Sequence, residues 1–197
     1  MIKSPHIYLA SRSPRRGELL RQIGVAFEVL PADVDESILA GEAPEHYVLR
    51  LAREKAEACA RRVVADGLPT MPVLAADTTV CADGIILGKP ESDEEARTML
   101  RRMSDRWHTV HTAIAVAHEH RVEVLLSSTQ VEMAPLTEAE IAAYIASGEP
   151  RDKAGGYGIQ GPASVFIRRI EGSYSGVMGL PLYETAQLLK KFGIHAL

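Results

Sequence analysis

The apolar run Ile7-Tyr8-Leu9-Ala10 passes directly into Ser11-Arg12-Ser13-Pro14-Arg15-Arg16, and this junction constrains the chain more than any other stretch. The run reads as a short buried strand. The hexapeptide after it reads as a helix start. Ser13 is a good N-cap, Pro14 suits the first helical position, and Leu19, Leu20 and Ile23 recur at helical spacing before Gly24 closes the helix as a C-cap. The charge is out of place. Arg15 and Arg16 fall in the first turn, where the helix dipole already supplies partial positive charge, and each costs about 0.3–1 kcal/mol unless an anion answers it. Free backbone N–H groups, a hydroxyl and two guanidiniums at one helix start suit a polyphosphate. The plain alternative is that the arginines pair with acids elsewhere or face water.

Composition sets the limits. Of 197 residues, 46% are hydrophobic and 24% charged, enough apolar material for a full core and too much for a disordered chain. The length suits one domain, taken as 1–197, or two tightly joined lobes. A formal net charge of -4 argues against binding nucleic acid through bulk charge but leaves room for a local basic pocket. Cys59 and Cys81 lie far apart and form no paired metal motif, so they read as reduced, buried thiols of a cytoplasmic protein. No stretch approaches about 18 uninterrupted apolar residues, and no long apolar signal region is visible, so no membrane role is expected.

Further along, Ala26 to Leu30 reads as a second strand running into the acidic loop Asp33-Val34-Asp35-Glu36. Clustered carboxylates there suit a hard divalent cation, although for Asp33 a solvated turn is the better reading. A long helix is expected from about Glu45 to Ala65, entered through Pro44. Lys55 falls on its apolar stripe, placed either to snorkel to water or to enter a cleft, while Arg50, Arg53, Glu54 and Glu57 read as a solvated face. Asp77 interrupts the apolar run Val73 to Val80. A lone carboxylate in such a run is expensive to bury unless paired or metal-bound, so Asp77 is a candidate base or ligand. Ser92 with Glu95, and Thr137 with Glu140, have the spacing of capping boxes.

Trp107 to Ala117 and Val122 to Met133 read as a β-hairpin around which His108, His111, His118 and His120 fall; these are taken as surface or strand-edge residues. The glycine-dense segment from Lys153 to Gly161 lets backbone approach a ligand, and the Gln160 amide, both donor and acceptor, suits a base edge. Ser164 to Ile167 reads as a strand, and Gly179-Leu180-Pro181 leads into a last helix ending at Phe192-Gly193.

Over essentially the whole chain these residues resemble the Maf family of nucleoside triphosphate pyrophosphatases. The resemblance rests on Ser11-x-Ser13-Pro14-Arg15-Arg16, Leu51 to Ala56, Ala76-Asp77-Thr78, Gly88-Lys89-Pro90, Lys153 to Gly161 and Gly179-Leu180-Pro181. The segment ending in Gln160 is similar to the branch acting on dTTP and UTP rather than the one acting on 7-methyl-GTP. Two departures are small: Ala75 stands where the family often has glycine, and Gly156 where alanine is common.

The resemblance implies an α/β fold of the Maf/ITPase-like kind, a mixed curved sheet flanked by helices with two lobes around a central cleft. It implies hydrolysis of a nucleoside triphosphate to the monophosphate and pyrophosphate with a divalent cation, Mg²⁺, Mn²⁺ or Co²⁺. It places the general base on Asp77, base selection on Arg15, Thr78 and Gln160, and adds Ser11, Arg16, Glu36, Lys55 and Lys89 to the site. Asp77 and Glu36 are the expected metal carboxylates. A homodimer is expected. Two alternatives stay open: a pyrophosphatase for modified nucleotides such as 7-methyl-GTP, and a regulatory protein inhibiting septum formation in cell division.

Overall fold

The computed structural model describes residues 6–197. Residues 1–5, the beginning of the expected 1–197 domain and of the stretch read as lacking a leader, lie outside the described residues. β1 (Ile7–Leu9), α1 (Pro14–Gln22) and β2 (Phe27–Val29) come first, then α2 (Pro44–Ala65), β3 (Val73–Ala82) and β4 (Ile85–Leu87). Next in order are α3 (Asp93–Met103), the hairpin β5 (Trp107–His118) and β6 (Arg121–Met133), and α4 (Glu138–Ala146). β7 (Ile167–Glu171), the short α5 (Tyr174–Val177) and α6 (Leu182–Lys190) complete the order.

The seven strands form one mixed sheet in the order β2-β1-β3-β5-β6-β7, with β4 also on β3. β1 is parallel to β2 and β3, whereas β3, β5, β6 and β7 pair antiparallel in turn. Strand alternation divides the core in two. On one face Val73, Ala75, Ala113, Ala115 and Ala117 pack beneath Val48, Ala52, Ala56, Cys59 and Val63 of α2. On the other, Leu74, Ala76, Ile114 and Val116 meet apolar residues from α1, α3, α4 and α6. The small alanines beneath α2 let that long helix lie close to the sheet, which brings Lys55 within reach of β3.

β3 is a long strand with partial cover on one edge. β1 pairs with it only at Val73 and Leu74, and β4 only from Val80 to Ala82. Between them, residues 75–79 have no strand partner on that side among the described residues. Asp77 and Thr78 therefore stand at a gap in the sheet edge, and residues from both faces converge there.

Several expectations change in detail. The expected strand at Ser164 to Ile167 is a 3₁₀ turn over Pro162–Phe166, and the strand begins at Ile167. Pro162 sets the first helical position after Gly161, and the Ser164 N–H bonds back to the Gly161 carbonyl, so the apolar run is bent where its pattern reads as extended. Ser92 caps α3 by accepting from the Glu95 N–H, but the Glu95 carboxylate turns to the Glu91 N–H, leaving half a box. The Thr137–Glu140 box is complete. Ser13 occupies the N-cap of α1 without capping it by its side chain; its N–H instead donates to Ser11 Oγ. Cys59 is buried, whereas Cys81 is only half-buried.

Candidate active site

The gap at the β3 edge opens into a cleft of about 400 Å³, a volume ordinary for a small-ligand site. One wall comes from Ala10 to Arg16 and from Pro31 to Glu36; the opposite wall comes from Lys89 and the 152–160 segment. Thr78, Val80, Val110 and Gly179 lie between them. Ser11, Arg15, Arg16, Glu36, Lys55, Thr78, Lys89 and Gln160 all line this one space. Asp77 is brought to it indirectly, its buried carboxylate standing behind Lys55.

Lys55 Nζ lies 2.7 Å from Asp77 Oδ1 and 2.7 Å from Glu36 Oε1. α2 carries the lysine, β3 the aspartate and the β2–α2 loop the glutamate, so three elements meet at one ammonium. Expected from the resemblance as a further member of the site, Lys55 is thus held between two carboxylates. Burial raises the Asp77 pKa above the ordinary aspartate value, with Lys55 and Arg16 pulling the other way. Burial also pushes Glu36 upward, but the Lys55 hydrogen bond and charge, with Lys89 and Arg16, bring it net below its ordinary value.

The two arginines part company. Arg15 is partly exposed and reaches Asp152 of the opposite wall at 3.6 Å. Arg16 is half-buried and, among the described residues, has no carboxylate within ion-pair distance. Its Nε donates to the Gly179 carbonyl at 2.8 Å, Nη1 to Ser11 Oγ at 3.1 Å and Nη2 to Thr78 Oγ1 at 3.3 Å. Burial lowers the Arg16 pKa, with the Asp77 charge opposing it. A half-buried guanidinium whose bonds all go to neutral groups still lacks a counter-charge, and an anion in the cleft supplies one. Of the other expected residues, Lys89 and Gln160 are exposed on the cleft wall and Ser11 is buried in it. Asp33 is the solvated turn expected, paired among the described residues with Arg12 alone.

Sequence reasoning missed several contributors. Arg50, read as solvated, closes a fork on Glu42 at 2.6 and 2.7 Å and donates to the Ser37 carbonyl. With Tyr47, whose hydroxyl donates to the Glu36 carbonyl, it pins the loop that presents Glu36. His108 and His111, read as surface or strand-edge residues, are buried at 2% and 5% exposure. The wide twisted hairpin is covered on both faces, so alternation along β5 leads inward on either side. His108 Nε2 sits 2.7 Å from the Tyr157 hydroxyl, tying β5 to the glycine segment, and its Nδ1 has no partner among the described residues. Within that segment Gly155 has φ +70° and packs on Val80, where a Cβ would come within 2.9 Å of the valine side chain. Gly156 is buried at φ +69°, a conformation glycine adopts without strain.

These features define a nucleotide-sized, positively charged cleft with a carboxylate pair at one side. The chain belongs to the Maf-like protein family, whose pattern it matches over residues 6–192. It is 64% identical over 193 residues to the dTTP/UTP pyrophosphatase of Methylobacillus flagellatus, covering 98% of this chain and 96% of that protein. It is 56% identical over 197 residues to the protein of the same name from Ralstonia nicotianae, covering 96% and 95%. For the Chromobacterium violaceum protein, again named dTTP/UTP pyrophosphatase, the identity is 57% over 189 residues, covering 96% of each. Among solved structures, it is similar in part to the Staphylococcus aureus Ham1 protein, with a TM-score of 0.46 and 20% identity over 65% of this chain and 71% of that one.

Proposed function

We propose that this chain hydrolyses dTTP and UTP to the nucleoside monophosphate and pyrophosphate, acting as a single cytoplasmic catalytic domain that pairs into a homodimer. The observation that carries the reading is Arg16, a half-buried guanidinium at a helix start that meets no carboxylate among the described residues and opens on a cleft with room for a nucleotide. Three relatives at 56–64% identity carry the name dTTP/UTP pyrophosphatase, which supports the same substrates. None of the helices described is long and apolar enough to cross a membrane.

In this reading Arg15, Arg16, Lys89 and the Ser11 hydroxyl hold the triphosphate, and Gln160 with Thr78 faces the base. Asp77 accepts the proton of a water whose oxygen attacks the α-phosphorus; the bond to the β-phosphate bridging oxygen breaks and pyrophosphate leaves. Lys55 keeps the Asp77 and Glu36 carboxylates converged and adds its charge to the cleft. Phosphoryl chemistry of this kind is carried mainly by positioning and electrostatics.

The donor set suits a hard divalent cation. Glu36 and Asp77 each direct one oxygen to Lys55, and among the described residues no hydrogen bond engages Glu36 Oε2 or Asp77 Oδ2. Mg²⁺ is commonly held by one or two carboxylates together with substrate phosphates. Glu36 and Asp77 would hold it, and when bound it supplies charge neutralisation and a more acidic water.

The test measures pyrophosphate release from a panel of dTTP, UTP, CTP, ITP and 7-methyl-GTP with Mg²⁺, Mn²⁺ or Co²⁺. Turnover confined to dTTP and UTP, falling by ~10²–10⁴ in Asp77→Asn, is expected. Near-native turnover in Asp77→Asn, or preference for 7-methyl-GTP, overturns the assignment.

A further inference from the structure

Two hydroxyls flank Arg16, and the hydrogen-bond network polarises them in opposite senses. Ser11 Oγ accepts from the Ser13 N–H at 3.2 Å and from Arg16 Nη1 at 3.1 Å. Both lone pairs are occupied, so its proton is left to donate to an acceptor such as a phosphate oxygen. Thr78 is the reverse. Its cross-strand partner on β5 is Thr112, a fully buried residue. Thr112 Oγ1 lies 2.7 Å from the Gly176 carbonyl, which accepts and cannot donate, so the one Thr112 proton goes there. The 3.0 Å contact between Thr78 and Thr112 then has one solution, with Thr78 donating. Thr78 also accepts from Arg16 Nη2. What Thr78 turns to the cleft is a single remaining lone pair.

We propose that Thr112 is a positioning residue for substrate selection: by taking the Thr78 proton it makes Thr78 an obligate acceptor, which admits a ligand presenting an N–H and refuses one presenting a bare ring nitrogen. Phosphate oxygens, being acceptors, are refused at the same point, so the triphosphate is directed to the Ser11 side and the base to the Thr78 side. Uracil and thymine carry N3–H; cytosine carries an N3 lone pair, and Thr78 has no proton to give it. This inference rests on the reading of the cleft as a dTTP and UTP site, and it adds the origin of the pyrimidine preference. Sites built to meet a hydrogen-bonding group reject an analogue without it far more strongly than apolar pockets reject a changed shape.

The experiment compares kcat/KM for UTP and CTP in the wild-type chain, Thr112→Val and Thr112→Ser. In Thr112→Val the Thr78 hydroxyl is free to rotate and donate, and the UTP:CTP ratio is expected to fall at least ~10-fold, through a lower KM for CTP. Thr112→Ser keeps the relay and is expected to keep the ratio. An equal loss for both substrates in Thr112→Val, or the same collapse in Thr112→Ser, overturns the proposal. If circular dichroism shows Thr112→Val unfolded, the wild-type chain is given N3-methyl-UTP. Rejection by about 100-fold relative to UTP supports an acceptor-only Thr78, and turnover equal to UTP overturns it. A wild-type chain that releases no pyrophosphate from UTP or dTTP refutes the parent reading; one that does so while Thr112→Val keeps its ratio refutes only the relay.

Discussion

His108 makes a stability claim that acid titration can test. The ring is buried on β5, bonded through Nε2 to the Tyr157 hydroxyl, with Nδ1 unpartnered among the described residues. A proton added at Nδ1 creates a buried donor with nothing to bond, and burial pushes the His108 pKa down to about 4 from the ordinary 6.5. In the unfolded chain the imidazole titrates near 6.5, so between that pH and about 4 the unfolded state binds a proton that the folded state refuses. Stability from this residue is complete above pH 6.5 and is lost as pH falls towards 4. At roughly 1.4 kcal/mol per tenfold, the loss is about 3 kcal/mol. His108→Gln removes the titration while keeping a polar group. Urea unfolding measured from about pH 7.5 to 4.5 should show the wild type losing stability faster than the variant, so that the two converge as pH falls. His111, also lowered by burial, contributes equally to both. Curves that stay parallel across the window refute the reasoning.

The same geometry sets two further outcomes. With burial holding Asp77 above the ordinary aspartate value, the acid limb of kcat/KM for dTTP should lie above about pH 4; activity flat to that pH excludes Asp77 as the base. Gly155→Ala adds left-handed strain and a clash with Val80, so unfolding by urea should show a loss of at least about 2 kcal/mol; a neutral result would mean the glycine segment sits differently.

The start of the chain is its most legible part. Ile7–Leu9 and the helix beginning at Pro14 come from apolar runs, proline placement and spacing, all of which are local. So does α2, where the stripe through Val48, Leu51 and Cys59 marks both the helix and the inward position of Lys55. What Lys55 meets is not local: Asp77 lies 22 residues on, and only the sheet edge brings it near. The same limit explains Arg50, whose partner Glu42 sits in a loop with no periodicity to read. His108 and His111 look like surface residues because alternation in a hairpin normally marks one wet face. Here α2 covers one face and the segments around α3 to α5 cover the other. Thr112 leaves a faint trace, a hydroxyl on the same side of β5 as Val110 and Ile114, where an apolar side chain is the norm. The turn at Pro162–Phe166 is obscured by its own apolar residues, of which Ala163 is buried while Val165 faces water.

The nine-rung ladder between β3 and β5 fixes Asp77 opposite Ala113 and Thr78 opposite Thr112. Neighbouring residues on a strand point to opposite faces, so the proton abstraction and base discrimination proposed for Asp77 and Thr78 would fall on two sides of one rigid ribbon. Neither can be repositioned without unzipping the other. Under that proposal, a change of nucleotide preference that leaves the ladder intact would have to come from the cleft-lining loops at 31–36 and 152–160.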